Sequence, residues 1–433
     1  MELKIIEKNI NIKLVGAIFL GLLVIFAGAW LAFTKGNFRL SDFTGYIPDN
    51  APAGDSASIA QPDANEAAKN TDNAKNPAPT PASNLTGLPL SLPDGFSISI
   101  FADKLSGARV IEFDRAGNIF LSRTGEGRIT FIEIKDGKKV SQRDILTGLD
   151  GPHGLAFDPK RSEILYLAEE NKISRVDAGK LLAGEKVKPE KIADLPSGAG
   201  HSTRTLIFGP DDRLYVSIGS SCNVCNEADN RRAKIFSMNK DGSDFREYAR
   251  GLRNSVFMAL HPETGEIYAT EMGRDLLGDD VPPDEINIIK DKGNYGWPIC
   301  YGKNIHDTVF DKNTYIRSPC EAPFETPSLI DLPAHSAPLG LAFIPKDGFD
   351  GASAGNLIVA FHGSWNRSKK TGYKVVMIKI NEKGEPRIED FITGWLTAKE
   401  EVLGRPVDIK IGSDKTIYIS DDNRGVIYRV EKI

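Results

Sequence analysis

Thr205-Leu-Ile-Phe, the turn Gly209-Pro-Asp-Asp and Leu214-Tyr-Val-Ser make a pair of short apolar strands around a turn, and the pattern recurs five more times in the chain. The other copies run Arg109-Val-Ile-Glu-Phe to Ile119-Phe-Leu, Gly154-Leu-Ala-Phe to Ile164-Leu-Tyr-Leu, Val256-Phe-Met-Ala-Leu to Ile267-Tyr-Ala-Thr, Leu339-Gly-Leu-Ala-Phe to Leu357-Ile-Val-Ala, and Val407-Asp-Ile-Lys-Ile to Ile417-Tyr-Ile-Ser. Successive copies begin roughly 45 to 80 residues apart. That leaves room for four short strands per unit and is too long for a solenoid rung. It is the size of a propeller blade, so the repeats predict an all-β chain with a six-bladed β-propeller over residues 87–433. A two-layer sandwich is the alternative, but it does not call for six equivalent strand pairs. In a propeller the first strand of each unit lines the central channel, and the loops entering those strands crowd around one mouth.

The chain has 433 residues and a net charge of -5, with no basic run in the repeat region. That balance argues against a nucleic-acid partner, which demands a cationic footprint. Leu14 to Phe33 carries no charge, and as a helix it spans about 30 Å, the thickness of a bilayer core. It reads as one transmembrane helix, with residues 1–13 as a cytoplasmic tail. Lys4, Lys8 and Lys13 precede it and put the propeller on the extracytoplasmic side of the cell membrane, against which Lys35 and Arg39 count. A cleaved signal peptide ending at Ala27-Gly-Ala29 is the other reading, although the apolar run continues past it. Residues 34–86, crowded with Ala, Asn, Asp and Pro, read as a flexible linker. The last strand, Val426 to Val430, lies almost at the C-terminus, so pairing of the two ends of the propeller is expected to close the ring.

All four cysteines fall in the part expected outside the cell, where disulfides persist. Cys300 and Cys320 bracket a polar loop whose closure stabilises a fold by about 3 kcal/mol in the chain-entropy treatment. Cys222-Asn-Val-Cys225 is open to three readings: a structural disulfide, a metal site and a redox pair. It lacks the His of a haem-attachment motif and two further zinc ligands at the usual spacing.

Strong polar residues stand immediately before the first strands of five repeats: His153, His201, Arg253-Asn254, His335 and Arg405. A propeller would bring them together on one face. Arginines and imidazoles around a pocket suit a ligand with several carboxylates, because guanidinium pairs with carboxylate through charge-assisted hydrogen bonds. Arg367 and Lys369 follow Phe361-His-Gly-Ser-Trp-Asn and extend the same set, with a solvated turn as the bland reading for the lysine. Asp279, Asp280, Asp284 and Glu285 form an acidic cluster that reads either as oxygen ligands for Ca²⁺ or as a solvated loop. His261, in a hairpin turn, and His306, in the Cys300 to Cys320 loop, are weak candidates.

Gly200-His-Ser-Thr-Arg-Thr-Leu-Ile-Phe-Gly-Pro-Asp, Gly251-Leu-Arg-Asn, Asp284-Glu-Ile-Asn-Ile-Ile, Gly293-Asn-Tyr-Gly-Trp-Pro, Ala360-Phe-His-Gly-Ser-Trp-Asn-Arg and Gly404-Arg-Pro-Val-Asp occur in that order. With these stretches the chain resembles the quinoprotein glucose and sorbosone dehydrogenases, which are six-bladed propellers using pyrroloquinoline quinone (PQQ) and Ca²⁺. The resemblance implies an oxidoreductase acting on a sugar, with His201 as the general base and Arg253 and Asn254 at the cofactor. Arg405 would pack over the cofactor, and contacts to its carboxylates would fall to His362, Arg367 or Lys369, with His153 nearby. Calcium would bind the backbone carbonyls of Gly273 and Arg274. The resemblance is closer to the sorbosone and general aldose branch, because His362 and Gly363 stand near the position of a lysine in the glucose-oxidising branch. A membrane anchor would keep such an enzyme near a respiratory electron acceptor. Two other readings compete. A Ca²⁺-dependent lactonase-like hydrolase would need Asn, Asp and Glu side-chain ligands from several blades. A non-catalytic surface binding propeller would need an exposed aromatic or charged rim without a cofactor-sized pocket.

Overall fold

The computed structural model describes residues 82–349, 353–380 and 385–433. The expected membrane span at 14–33 and nearly all of the expected linker lie outside the described residues. Among the described residues no helix is long and apolar enough to cross a membrane.

Each sequence repeat becomes one blade of four antiparallel strands, and six blades form the propeller. Blade 1 runs Ala108–Phe113, Ile119–Arg123, Arg128–Lys135 and Lys138–Thr147. Blade 2 runs Leu155–Phe157, Ile164–Ala168, Lys172–Asp177 and Glu190–Asp194, and blade 3 Leu206–Phe208, Leu214–Ile218, Lys234–Met238 and Arg246–Arg250. Blade 4 is Met258–Leu260, Ile267–Glu271, Asp284–Ile289 and Ile330–Leu332, with an insertion before its last strand. Blade 5 is Pro338–Phe343, Leu357–Phe361, Lys374–Ile380 and Pro386–Ile392. Blade 6 takes Pro406–Ile411, Ile417–Asp421 and Val426–Lys432 from the C-terminal end and its outermost long strand, Phe96–Ala102, from the N-terminal side. Phe96 pairs with Lys432 and Ile98 with Val430, so the ring closes by pairing of distant chain segments, as expected. Ser83–Asn84 adds a short parallel rung beside Phe96–Ala102. The described strands therefore start inside the stretch read as linker.

The second strand of each blade carries the repeat most clearly because it is the one buried on both faces. Leu214–Ile218, Ile267–Glu271, Leu357–Phe361 and Ile417–Asp421 are buried throughout, since a neighbouring blade packs on either side. Such strands read as continuous apolar runs. Outer strands such as Lys138–Thr147 face solvent and lose the pattern. The turns between first and second strands use aspartate. Asp114 Oδ1 accepts from the amides of Ala116 and Asn118, and Asp158 Oδ1 from those of Lys160 and Arg161.

Inner strands touch their neighbours around the whole ring, from blade 1 through blade 6 and back. Gly340 allows one of these approaches: a Cβ there would lie 2.5 Å from Asp408 Cα of blade 6. Buried polar groups tie blades together as well, with Asp408 Oδ2 accepting from the Ile111 amide at 2.8 Å and Thr270 Oγ1 donating to Leu339 O at 2.9 Å. Both cysteine pairs are disulfides, Cys222–Cys225 and Cys300–Cys320. The CxxC segment is therefore bonded to itself rather than open for a metal, and the polar loop is stapled into the blade 4 insertion.

Candidate active site

His201, Arg253, Asn254, His335 and Gly363 come from the entrances to blades 3, 4 and 5 and from the end of the Leu357–Phe361 strand, and all line one cavity of about 220 Å³. Met272, Gly273, Asp275, Asp284, Ala337, Ser364 and Trp365 complete its wall. Gly219 makes the approach of two of these groups possible, because a Cβ there would meet His201 Cβ at 2.6 Å and Asn254 Oδ1 at 2.9 Å.

His201 Nδ1 lies 3.0 Å from both the carbonyl and the hydroxyl of Ser220. The carbonyl can only accept, so the ring hydrogen belongs on Nδ1 and Nε2 carries the lone pair. Burial, reinforced by the charge of Arg253, pushes the imidazole down to about 4. His201 is therefore a neutral base at neutral pH.

Arg253 is 5% exposed and fully engaged. Nε donates to Asn223 O at 2.9 Å, Nη2 to Asn223 Oδ1 at 2.9 Å and to Asp275 Oδ2 at 3.0 Å, and Nη1 to Gly273 O at 2.9 Å and Met272 O at 3.4 Å. It gives the cavity a fixed positive charge rather than free donors. Glu271 accepts from the Asn254 amide at 2.7 Å and from Ser255 Oγ, which holds the Arg253-Asn254 turn. Asp284 accepts from the amides of Gly273 and Ala337, both at 2.9 Å. Burial pushes these carboxyls up to about 8 and about 7.

A second cluster stands beside the cavity at Gly363. Arg405 donates from Nε to His362 O at 3.1 Å and from Nη2 to Gly363 O at 2.8 Å, with its guanidinium 5.5 Å from the centre of the Tyr373 ring. His362 Nε2 lies 3.0 Å from Asp422 Oδ1, and Asp422 also pairs with Arg109 at 2.9 Å. Burial lowers His362 to about 4 despite this carboxylate. Burial alone would raise Asp422, but His362 and Arg109 outweigh it and hold the carboxyl well below its usual range. The pair is thus a neutral imidazole hydrogen-bonded to a carboxylate.

The remaining expected site residues are placed elsewhere. His153 is fully buried beneath the mouth, with Nδ1 3.3 Å from Thr205 Oγ1 and its ring edge-on to Phe257. Arg367 spans the rim to Asp280, at 2.8 Å, and to Asp279 O, while Ser368 holds the Asp279 carboxylate. Lys369 is exposed. The Arg274 side chain turns away and pairs with buried Asp307 at 2.8 Å. The acidic cluster is split: Asp284 faces the cavity, whereas Glu285, its neighbour on the strand, binds the Gly302 amide at 2.6 Å on the opposite side. Among the described residues, the sets of His, Cys, Asp and Glu close enough to share one metal ion are the two disulfide pairs with Glu227 or Glu325, and neither includes this cluster. Sequence reasoning missed Asn223, Asp275, Asp422 and Arg109. Asn223 carried a signal in its place inside the CxxC segment, and Arg109 in its place at the start of the first repeat.

A closed six-bladed propeller with imidazoles and a buried guanidinium around a cavity at one channel mouth defines the class of fold and site. Within that class the chain belongs to the TrAA12-like family, whose model matches residues 90–433. It is 34% identical over 361 residues to an uncharacterized protein of Borreliella burgdorferi, covering 79% of this chain and 92% of that one. It is 24% identical over 414 residues to the pyrroloquinoline quinone-dependent pyranose dehydrogenase of Coprinopsis cinerea, covering 79% of this chain and 55% of that enzyme. The chain thus spans about half the length of that sugar dehydrogenase. Its fold is similar to the calcium structure of the Trichoderma reesei family AA12 enzyme, with a TM-score of 0.68 and 20% identity over 81% of this chain and all of that one.

Proposed function

We propose that the protein is a PQQ-dependent sugar dehydrogenase of the pyranose and aldose type, with His201 as general base. The observation that carries the reading is the neutral, buried imidazole of His201 in the same cavity as the buried cation of Arg253. Family membership and the pyranose dehydrogenase relative support it.

The residues present fit an anionic quinone. Arg253 supplies a desolvated positive charge, Asn254 a polar contact, and Arg405 a flat guanidinium beside the cavity wall at Gly363. The carbonyls of Gly273 and Arg274 would hold Ca²⁺, an oxygen-seeking ion. Gly273 O already accepts from Arg253, so the ion would share that carbonyl, and Asp275, paired with Arg253 at 3.0 Å, stands in the same wall. When bound, PQQ supplies a two-electron acceptor and Ca²⁺ a Lewis acid. His201 Nε2 takes the proton of the sugar hydroxyl, while the Ser220 carbonyl keeps the other ring nitrogen protonated and the ring oriented. The wall around these groups keeps the proton acceptor desolvated and uncharged until substrate arrives.

The test is reconstitution of the purified protein with PQQ and Ca²⁺, followed by aldose-dependent dye reduction. Activity should require both additions; a folded protein that binds no quinone would sink the reading. We further propose that residues 14–33 anchor the protein in the cell membrane, with the propeller outside the cytoplasm and electrons passing to a respiratory acceptor. The apolar span and the lysines before it support this. Unchanged activity with membrane acceptors after deletion of residues 1–81 would count against the anchor's role.

A further inference from the structure

The loop 220–225 touches both reacting-site groups at once. Ser220 receives the amide and Nδ1 of His201 on its carbonyl, donates its own amide to Arg253 O at 2.8 Å, and donates Oγ to Cys222 O at 2.6 Å. Three residues on, Asn223 accepts Nε of Arg253 on its carbonyl and Nη2 on Oδ1. Asn223 also grips the neighbouring wall: Oδ1 accepts from the Asp275 amide at 2.8 Å, Nδ2 donates to Asp275 O at 3.0 Å, and the carbonyl accepts from Trp297 Nε1 at 3.3 Å. Asn223 thus locks a guanidinium and a backbone segment with one amide group, and Cys222–Cys225 closes the ring of chain in which it sits.

We propose that the Cys222–Cys225 disulfide is a clamp that presents Asn223, and that Asn223 is a positioning residue setting Arg253 against His201 and the Gly273 to Asp275 wall. A loop closed over so few residues constrains little of the unfolded chain compared with Cys300–Cys320, so its weight falls on local geometry. Cys222 and Cys225 are half-buried, whereas Cys300 and Cys320 are buried. A dithiol reductant should therefore open the clamp first: the two sulfurs take up two electrons and two protons, and the dithiol closes to a cyclic disulfide. The site would then be thiol-sensitive while the propeller stays folded.

The inference rests on the proposed function for its quinone arm only, and the test separates the two. Full-length wild type, its dithiothreitol-treated form, Cys222→Ser/Cys225→Ser and Asn223→Ala are compared. Thiol labelling with mass spectrometry should find Cys222 and Cys225 released and Cys300–Cys320 intact. With six histidines in the chain, imidazole NMR can follow His201. Its titration should move up from about 4 as Arg253 retreats, by the part that this charge adds to burial. Hydrogen exchange at the Asp275 amide should quicken at least about tenfold, with the Leu214–Ile218 amides unchanged. PQQ affinity should fall about tenfold, the scale of one lost hydrogen bond to a charged group. An opened disulfide, or Asn223→Ala, that leaves both the His201 titration and Asp275 protection as in wild type would overturn the clamp. Wild type that binds no PQQ would instead refute the quinone reading, while the imidazole and amide measurements still decide the clamp.

Discussion

The two ends of the central channel are made from opposite ends of the same six inner strands, yet they differ in chemistry. At the end where those strands begin, the cavity of about 220 Å³ holds His201, Arg253 and Asn254. Further along the same strands, from Leu155 at the start of one to Phe157, Phe208 and Leu260 at their ends, a larger cavity of about 320 Å³ is walled by these and similar side chains. Its charged groups are already satisfied, Lys410 by Glu112 at 2.9 Å and Asp408 by the Ile111 amide. Size does not mark the site. What marks it is a buried base with a free lone pair beside a desolvated cation, which the larger cavity lacks.

Removing the base should separate the two ends most sharply. His201→Ala is expected to lower kcat of the reconstituted enzyme by about 10² to 10⁴ while leaving the melting temperature nearly unchanged, and stopped-assay kinetics with calorimetry check both. Less drastic is the loss of Asp422, which leaves Arg109 and His362 without their shared carboxylate. Asp422→Ala should cost about 2 kcal/mol of stability, below the range for fully buried pairs because the carboxylate keeps some solvent contact, and a urea melt would show it.

The pH response follows from the same end of the channel. His201 must be neutral to act, and its value near 4 places the acid limb of kcat/KM near 4 rather than near the ordinary imidazole value. Stability responds with a matching sign. His201 and His362 are both depressed to about 4 when folded. The unfolded chain binds their protons first, so stability is lost as pH falls from about 6.5 toward 4. A rate that already collapses near pH 6.5 would contradict the desolvated site. The smallest effect belongs to the far end: Glu112→Gln should leave kcat/KM within about twofold and stability within about 1 kcal/mol. A larger kinetic change would mean the two ends communicate.

Much of the molecule was legible because strand burial is a local signal. Thr205 to Ser217 announces a blade by itself, since its second strand is buried on both faces and its first is at least half-buried, so both are apolar. Ring closure followed from Val426 to Val430 lying at the chain end. The mouth residues were legible by position, and His201, Arg253, Asn254 and His335 do meet in one cavity. Arg367 shows the limit, because a cation near the mouth in sequence pairs across the rim with the Asp279-Asp280 loop. Asn223 and Asp422 show the converse. They are polar loop residues with no periodic pattern, and they matter through partners distant in sequence, among them Arg253 and His362, 30 and 60 positions away.

The chain by itself determined the six-bladed architecture, the segment that closes it and the grouping of His201, Arg253, Asn254 and His335 at one mouth, because side-chain periodicity and loop position are written within each repeat. Tertiary structure alone decided which imidazole is a free base, which guanidinium is saturated and which carboxylate is ionised. Those states depend on how much water a group loses and which partner it meets, and both are set by segments that become neighbours only when the ring has closed.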